Sequence, residues 1–119
     1  MDGELSEEII GAAYVVSNEL GCGFLEKVYQ NALAMELRRR GLKIYTECPI
    51  KVFYKGEIVG DYFADILVNE SIIIELKACK ALENIHSAQL LNYLNAAGLK
   101  IGLLINFGTP RVQIKRLVN

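Results

Sequence analysis

Residues 72–78, Ile72-Ile73-Ile74-Glu75-Leu76-Lys77-Ala78, form an apolar run typical of a central β-strand that is covered on both faces. Two charged residues interrupt this run. Glu75 and Lys77 are two positions apart, so in a strand their side chains point to the same face. Because burying an unpaired charge is costly, a strand this apolar is expected to carry charges only where something compensates for them.

The segment before this strand, residues 62–68, has a second strand pattern, and a three-residue loop at 69–71 joins the two. If the strands pair tightly across this loop, Asp65 lies directly opposite Glu75. Opposed residues have Cβ atoms about 5 Å apart, so two carboxylates and the ammonium group of Lys77 would converge on one point. A β-bulge that shifts the register by one residue would instead move Asp65 to the other face.

A divalent cation would stabilise such a cluster of like charges. Two carboxylates, a backbone carbonyl such as that of Leu76, and water are suitable ligands for a hard ion such as Mg²⁺. The ion would make a water molecule more acidic and neutralise phosphoryl oxygens, and Lys77 would orient that water or stabilise charge on the phosphate. These parts would serve phosphodiester hydrolysis. The plainer interpretation is that Asp65 and Glu75 lie at the sheet rim and Lys77 pairs with one of them.

The patterns around this hairpin predict one α/β domain over residues 1–119. The predicted elements are helices at about 5–20, 25–40 and 84–97, strands between 42 and 78, and strands at 100–107 and 112–118. The strand patterns between 42 and 78 are interrupted at Pro49 and turn at Lys55-Gly56 and at the loop 69–71. The predicted order, ααββββαββ, indicates a mixed central β-sheet flanked by helices.

Composition restricts the function classes. The chain is 52% hydrophobic with three cysteines and one histidine, which argues against disorder, a disulfide framework and a multi-histidine metal site. It has no apolar stretch long enough for a membrane helix and no signal peptide at its start, so we expect a cytoplasmic protein without a membrane partner. With a net charge of −1, nucleic acid would have to bind at local patches, which can equally be solvated surface. The two candidate patches are Arg38, Arg39, Arg40 with Lys43, and Arg111 with Lys115 and Arg116.

Two further groups of polar residues are placed to support a site. His86, Gln89 and Tyr93 are three and four residues apart, so they share one face of the third helix. Glu26 and Tyr29 share a face at the start of the second helix. Taken alone, the first group is typical of an exposed helix face, and Glu26 is typical of a residue that complements the helix dipole.

Several ordered motifs together resemble a known family. Residues 23–29, Gly23-Phe24-Leu25-Glu26-Lys27-Val28-Tyr29, match the pattern G-x-x-E-x-x-Y. The chain resembles the GxxExxY proteins, a small prokaryotic family of the PD-(D/E)XK nuclease superfamily, over nearly its whole length. The other matching segments are residues 65–68, 75–78, 86–89, 93–94 and 102–107. Residues 89–93 also resemble the Q-x-x-x-Y motif of RecB-like nucleases.

This resemblance implies a restriction-endonuclease-like core and a nuclease that uses Mg²⁺ or Mn²⁺. It assigns Asp65 and Glu75 as metal-binding carboxylates, Lys77 as the catalytic lysine, and Glu26 as a residue that reaches the metal directly or through water. Gln89 and Tyr93 would support the site or touch the substrate backbone. The remaining candidate supporting residues are His86 and Tyr29.

One position departs from the family pattern. Relatives often carry a basic residue two positions before the motif aspartate, where this chain has Phe63. If that basic residue contacts phosphate, substrate affinity here would be weaker. The expected function is a nuclease acting on DNA rather than RNA, as a homodimer or within a larger assembly. The alternatives are a non-catalytic nucleic-acid-binding or protein-interaction module on the same scaffold, and hydrolysis of another phosphate compound.

Overall fold

The computed structural model describes residues 2–119, with side chains from residue 3 onward. The elements are α1 (Asp2–Leu20), α2 (Glu26–Arg39), β1 (Ile44–Tyr54), β2 (Glu57–Val68), β3 (Ile72–Lys77), α3 (Asn84–Ala97), β4 (Ile101–Asn106) and β5 (Gln113–Val118). One five-stranded sheet has the order β1-β2-β3-β4-β5. Neighbouring strands are antiparallel except for β3 and β4, which are parallel and joined through α3. The predicted mixed α/β architecture is confirmed. No helix in the described residues is long and apolar enough to cross a membrane.

The sheet is covered on both faces at β3, which separates two layers of core. Ile72, Ile74 and Leu76 pack in the larger core with residues of α1 and α2. Ile73 packs in the smaller core with Leu90 of α3. Because side chains alternate along a strand, Glu75 and Lys77 are directed to the α3 face of the sheet, like Ile73.

The predicted break at Pro49 does not occur. β1 continues through Pro49, which pairs with Phe63, and β2 is continuous from Glu57 to Val68. Three strands therefore precede α3, rather than the four predicted, and the order is ααβββαββ. Proline has no N–H to give to a ladder, but β1 is an edge strand, where one side needs no partner.

The register of the β2–β3 hairpin agrees with the sequence prediction. The pairs are Ile66 with Ile74, Leu67 with Ile73, and Val68 with Ile72, without a shift. The next residues along the two strands are Asp65 and Glu75, so these face each other. The ladder between β2 and β3 ends here, and the rest of β2 pairs with β1 alone.

The chain beyond β3 is held by Asn106, a fully buried amide at the end of β4. Its Oδ1 accepts a hydrogen bond from the Cys79 N–H at 3.0 Å, and its Nδ2 donates to the Cys79 carbonyl at 2.9 Å. Gly108 approaches the same segment so closely that a Cβ atom there would lie 2.3 Å from the Cys79 nitrogen. These contacts fix the backbone just after Lys77.

Candidate active site

Asp65 and Glu75 each bind the backbone of the opposite strand. The Leu76 N–H donates a hydrogen bond to Asp65 Oδ2 at 2.7 Å, and the Asp65 N–H donates one to Glu75 Oε2 at 3.4 Å. Both side chains are half-buried. The reciprocal bonds hold two carboxylates together at the point where β2 separates from β3.

Burial and the neighbouring carboxylate raise the pKa of Glu75 to about 9. Loss of hydration is the largest cause, followed by a hydrogen bond to Asp65 and the Asp65 charge, while the charge of Lys77 opposes the shift. Without a further cation, Glu75 therefore keeps a proton at neutral pH.

The donor set at this point suits a hard divalent cation. Asp65 and Glu75 could hold one through their carboxylate oxygens, and Leu76 could add its backbone carbonyl. The cation would replace the proton on Glu75. Within residues 3–119, no three His, Cys, Asp or Glu side chains lie together at metal-binding distance. Glu26 is exposed in the first turn of α2, and its role toward a metal stays a prediction.

Lys77 is half-buried at the last position of β3, on the same face of the strand as Glu75. Its charge acts on the Glu75 carboxyl group. The ion pairs found among the described residues do not include Lys77. Among the described residues, the lysine thus lies near Glu75 without a direct ion pair to it.

Two of the predicted supporting side chains, both on α3, bind each other. Gln89 Nε2 donates a hydrogen bond to the Tyr93 hydroxyl at 2.9 Å. Burial raises the pKa of Tyr93, and the charges of Glu75 and Asp65 raise it further, against the effect of Gln89. Gln89 and Tyr93 therefore share one polar surface, and the Tyr62 ring of β2 packs on Tyr93.

The other two predicted supporting residues have structural contacts elsewhere. His86 Nδ1 accepts a hydrogen bond from the Glu83 N–H at 3.0 Å, at the N-terminus of α3. The Tyr29 hydroxyl donates to the Gly21 carbonyl at 2.6 Å, and its ring stacks on Phe107 with centroids 4.7 Å apart. These contacts cap a helix and hold the α1–α2 loop against the core.

Two residues at the site were not found from the sequence. Gln30, buried in α2, donates from Nε2 to Glu47 Oε2 at 2.7 Å and to the Asp65 carbonyl at 2.9 Å. Glu47 lies within β1 with φ of 52°, a left-handed conformation that is uncommon for a residue with a side chain. Gln30 lies in the apolar stripe of α2 with Leu33 and Leu37. An amide in such a stripe needs a hydrogen-bond partner, and this was the sequence signal that could have identified Gln30.

The basic patches are partly neutralised. Arg40 forms ion pairs with Glu8 and Glu36, and Lys43 with Glu70. Arg38 and Arg39 instead line a cavity of about 510 Å³ between α2 and β1. The second patch, Arg111, Lys115 and Arg116, is exposed.

We predict that Gln30→Leu destabilises the protein by about 1–3 kcal/mol, because the Asp65 carbonyl and the Glu47 carboxylate lose a shared donor in a half-buried place. Urea denaturation would measure the free energy of unfolding. Asn31→Leu, at the exposed neighbouring position, is the control. A loss for Gln30→Leu no larger than that of the control would contradict the bridging role.

We also predict that Glu75→Gln stabilises the metal-free protein at alkaline pH. In the unfolded chain Glu75 loses its proton near pH 4.5, and in the folded chain near pH 9, so stability falls as pH rises through this window. One proton accounts for at most about 1.4 kcal/mol per pH unit. Thermal melts in EDTA should show Glu75→Gln gaining more at pH 8 than at pH 5, and Glu57→Gln, an exposed carboxylate of β2, gaining nothing. Parallel pH profiles for wild type and Glu75→Gln would refute the assignment.

Comparison with known proteins gives a family and a fold for this chain. A family model described as the PD-(D/E)XK nuclease superfamily matches residues 3–117. No curated protein matches the chain. Among solved structures, the crystal structure of SSO0001 is similar, with a TM-score of 0.62 and 22% identity over 99% of this chain. The chain spans 59% of that protein's length. At this identity the likeness shows the fold, which is consistent with a restriction-endonuclease-like core, and the match to the family model shows that the chain belongs to the PD-(D/E)XK nuclease superfamily.

Proposed function

We propose that this protein is a divalent-cation-dependent nuclease that hydrolyses phosphodiester bonds in DNA, and that it is one of the GxxExxY proteins within its superfamily. The observation that carries the proposal is the opposition of Asp65 and Glu75 at the end of the β2–β3 ladder, with Lys77 on the same face of β3. PD-(D/E)XK nucleases generally use divalent metals, which supports a cation at this pair. Mg²⁺ or Mn²⁺ suits the oxygen ligands present.

Each of the three residues has a role that its position supports. Asp65 and Glu75 would hold the cation, which supplies positive charge for the phosphoryl oxygens and acidifies a water molecule. Lys77 would donate hydrogen bonds to that water or to the phosphate, and its charge would stabilise negative charge that develops on the phosphate. Leu76 N–H keeps Asp65 oriented through its 2.7 Å hydrogen bond.

Residues of α3 and α2 would position the substrate and the cation. Gln89 and Tyr93 offer an amide and a hydroxyl on the α3 side of the sheet, to which Glu75 and Lys77 are also directed, and such groups suit hydrogen bonds with a nucleic-acid backbone. Glu26 would reach the cation directly or through water. Tyr29 and His86 would act indirectly, by fixing the loop before α2 and the start of α3.

DNA, rather than RNA, is the proposed partner, with a homodimer as the assembly if both strands of a duplex are cut. The net charge of −1 means that phosphates must be bound locally. Arg38 and Arg39, which line the cavity between α2 and β1, are candidates for this contact.

A non-catalytic binding module is the second candidate function. Phe63, 54% exposed, presents an aromatic ring where relatives often have a basic side chain. Such a module need not bind a divalent cation at Asp65 and Glu75, whereas a nuclease must. Cation binding and cleavage therefore separate the two functions.

The test is cleavage of plasmid, linear duplex and single-stranded DNA and of RNA, in EDTA, Mg²⁺ and Mn²⁺. Wild type should cleave only with a divalent cation, and Asp65→Asn, Glu75→Gln and Lys77→Ala should each lower the rate by about 100-fold or more. Lys80→Ala, an exposed lysine three positions beyond Lys77, is the matched control and should retain full activity.

Two results would count against the nuclease. If wild type cleaves nothing with any of these cations while its fold is intact by circular dichroism, the binding module becomes the better account. If Glu75→Gln and Lys77→Ala cleave as fast as wild type, the activity does not come from this site.

A further inference from the structure

A cavity of about 600 Å³ lies between α3 and the β1–β2 hairpin. The hairpin contributes Val52 and Tyr62, and α3 contributes Ile85, Gln89 and Tyr93. The cavity is open to solvent on one side, because Ile85 is 68% exposed and Tyr62 is 47% exposed. The apolar side chain of Ile85 and the aromatic ring of Tyr62 are thus exposed to solvent at the rim of the cavity.

The lining has a definite chemical character. None of its side chains is charged, and its polar groups include the side-chain amides of Gln89 and Asn92. The Tyr62 ring packs on Tyr93 with centroids 5.6 Å apart, tilted by 41°. A neutral, flat ligand with hydrogen-bonding edges fits such a surface, since its face can lie on tyrosine or isoleucine and its edge can meet an amide.

The cavity lies a short way along β2 from the proposed active site. Tyr62, which lines the cavity, is three positions before Asp65 on the same strand, a distance of about 10 Å. A ligand in the cavity and a phosphate at the carboxylates would therefore be neighbours. A nucleotide has this combination of a neutral flat base and a charged phosphate.

We propose that this cavity holds an unpaired nucleobase of a single-stranded nucleic acid whose neighbouring phosphate lies at Asp65 and Glu75. This inference rests on the proposed nuclease function. A base within a duplex has both faces stacked and its edge paired, so it cannot enter a side cavity unless it leaves the helix. Aromatic stacking of an unpaired base needs no particular sequence, because every base has a π-face. The substrate class is thus a single strand or an unpaired end.

The experiment measures binding by fluorescence anisotropy in Ca²⁺ buffer, with a gel confirming that the probe stays intact. The probes are a ten-nucleotide single strand that contains 2-aminopurine, as DNA and as RNA, and the matching DNA duplex. The variants are Tyr62→Ala, Tyr62→Phe and Ile85→Ala, and the control is Tyr54→Ala, an exposed tyrosine that does not line the cavity.

Tyr62→Ala should weaken single-strand binding about 5- to 150-fold and remove the quenching of 2-aminopurine, because stacking on the ring is lost. Tyr62→Phe, which keeps the ring, and Tyr54→Ala should bind as wild type does. Ile85→Ala, at an exposed position where folding is not at risk, should weaken single-strand binding in the same direction. Duplex binding should not respond to any of these changes. The DNA and RNA probes show which nucleic acid is preferred.

The proposal is overturned if Tyr62→Ala and Ile85→Ala bind the single strand as wild type does, or if single strand and duplex weaken equally. It is also overturned if wild type binds no probe, and an apolar protein segment would then be the better occupant. Cleavage is measured separately. If wild type cuts nucleic acid and Tyr62→Ala changes neither cleavage nor binding, the nuclease proposal stands and the base-cavity proposal fails. If wild type binds the single strand through Tyr62 but cuts nothing, the base-cavity proposal stands and the nuclease proposal fails.

Discussion

The opposition of Asp65 and Glu75 across the β2–β3 hairpin constrains the rest of the molecule. Two carboxylates in a half-buried place repel each other, and the folded chain accepts this by keeping a proton on Glu75 and by giving each carboxylate a backbone N–H. Such an arrangement lowers stability above the ordinary pKa of a glutamate. The fold tolerates this arrangement because α1 and α2 form a large core on the opposite face of the sheet.

The support of this pair is asymmetric. On the α2 side, the Gln30 amide joins the Asp65 carbonyl to Glu47, whose backbone has a left-handed conformation inside a strand. On the β4 side, Asn106 fixes the chain that follows Lys77. Each of these amides is buried and has partners for its hydrogen bonds, so each acts as a rigid link rather than as a source of charge.

The sequence was sufficient for those features that depend on near neighbours. The two-residue period of β3 and the short loop at residues 69–71 fixed which residues oppose each other, because a slip of one position would have turned Glu75 and Lys77 into the large core. The sequence was insufficient for features that depend on contacts between residues distant in the chain. Pro49 looked like a strand end because its edge position was unknown, and the stacking of Tyr29 on Phe107 could not be seen. The left-handed backbone of Glu47 has no signal in the residue type.

The separation of β2 from β3 links the proposed catalytic pair to the proposed base cavity. β2 pairs with β3 only up to Ile66, and its earlier residues remain paired with β1 alone. This leaves a two-stranded extension beside α3, and the space between them is the cavity that Tyr62 and Tyr93 line. Had β2 stayed paired with β3 beyond Asp65, ordinary ladder bonds would have occupied the backbone groups that now bind the carboxylates. One departure from regular sheet structure therefore creates both the carboxylate pair and the neutral cavity further along β2.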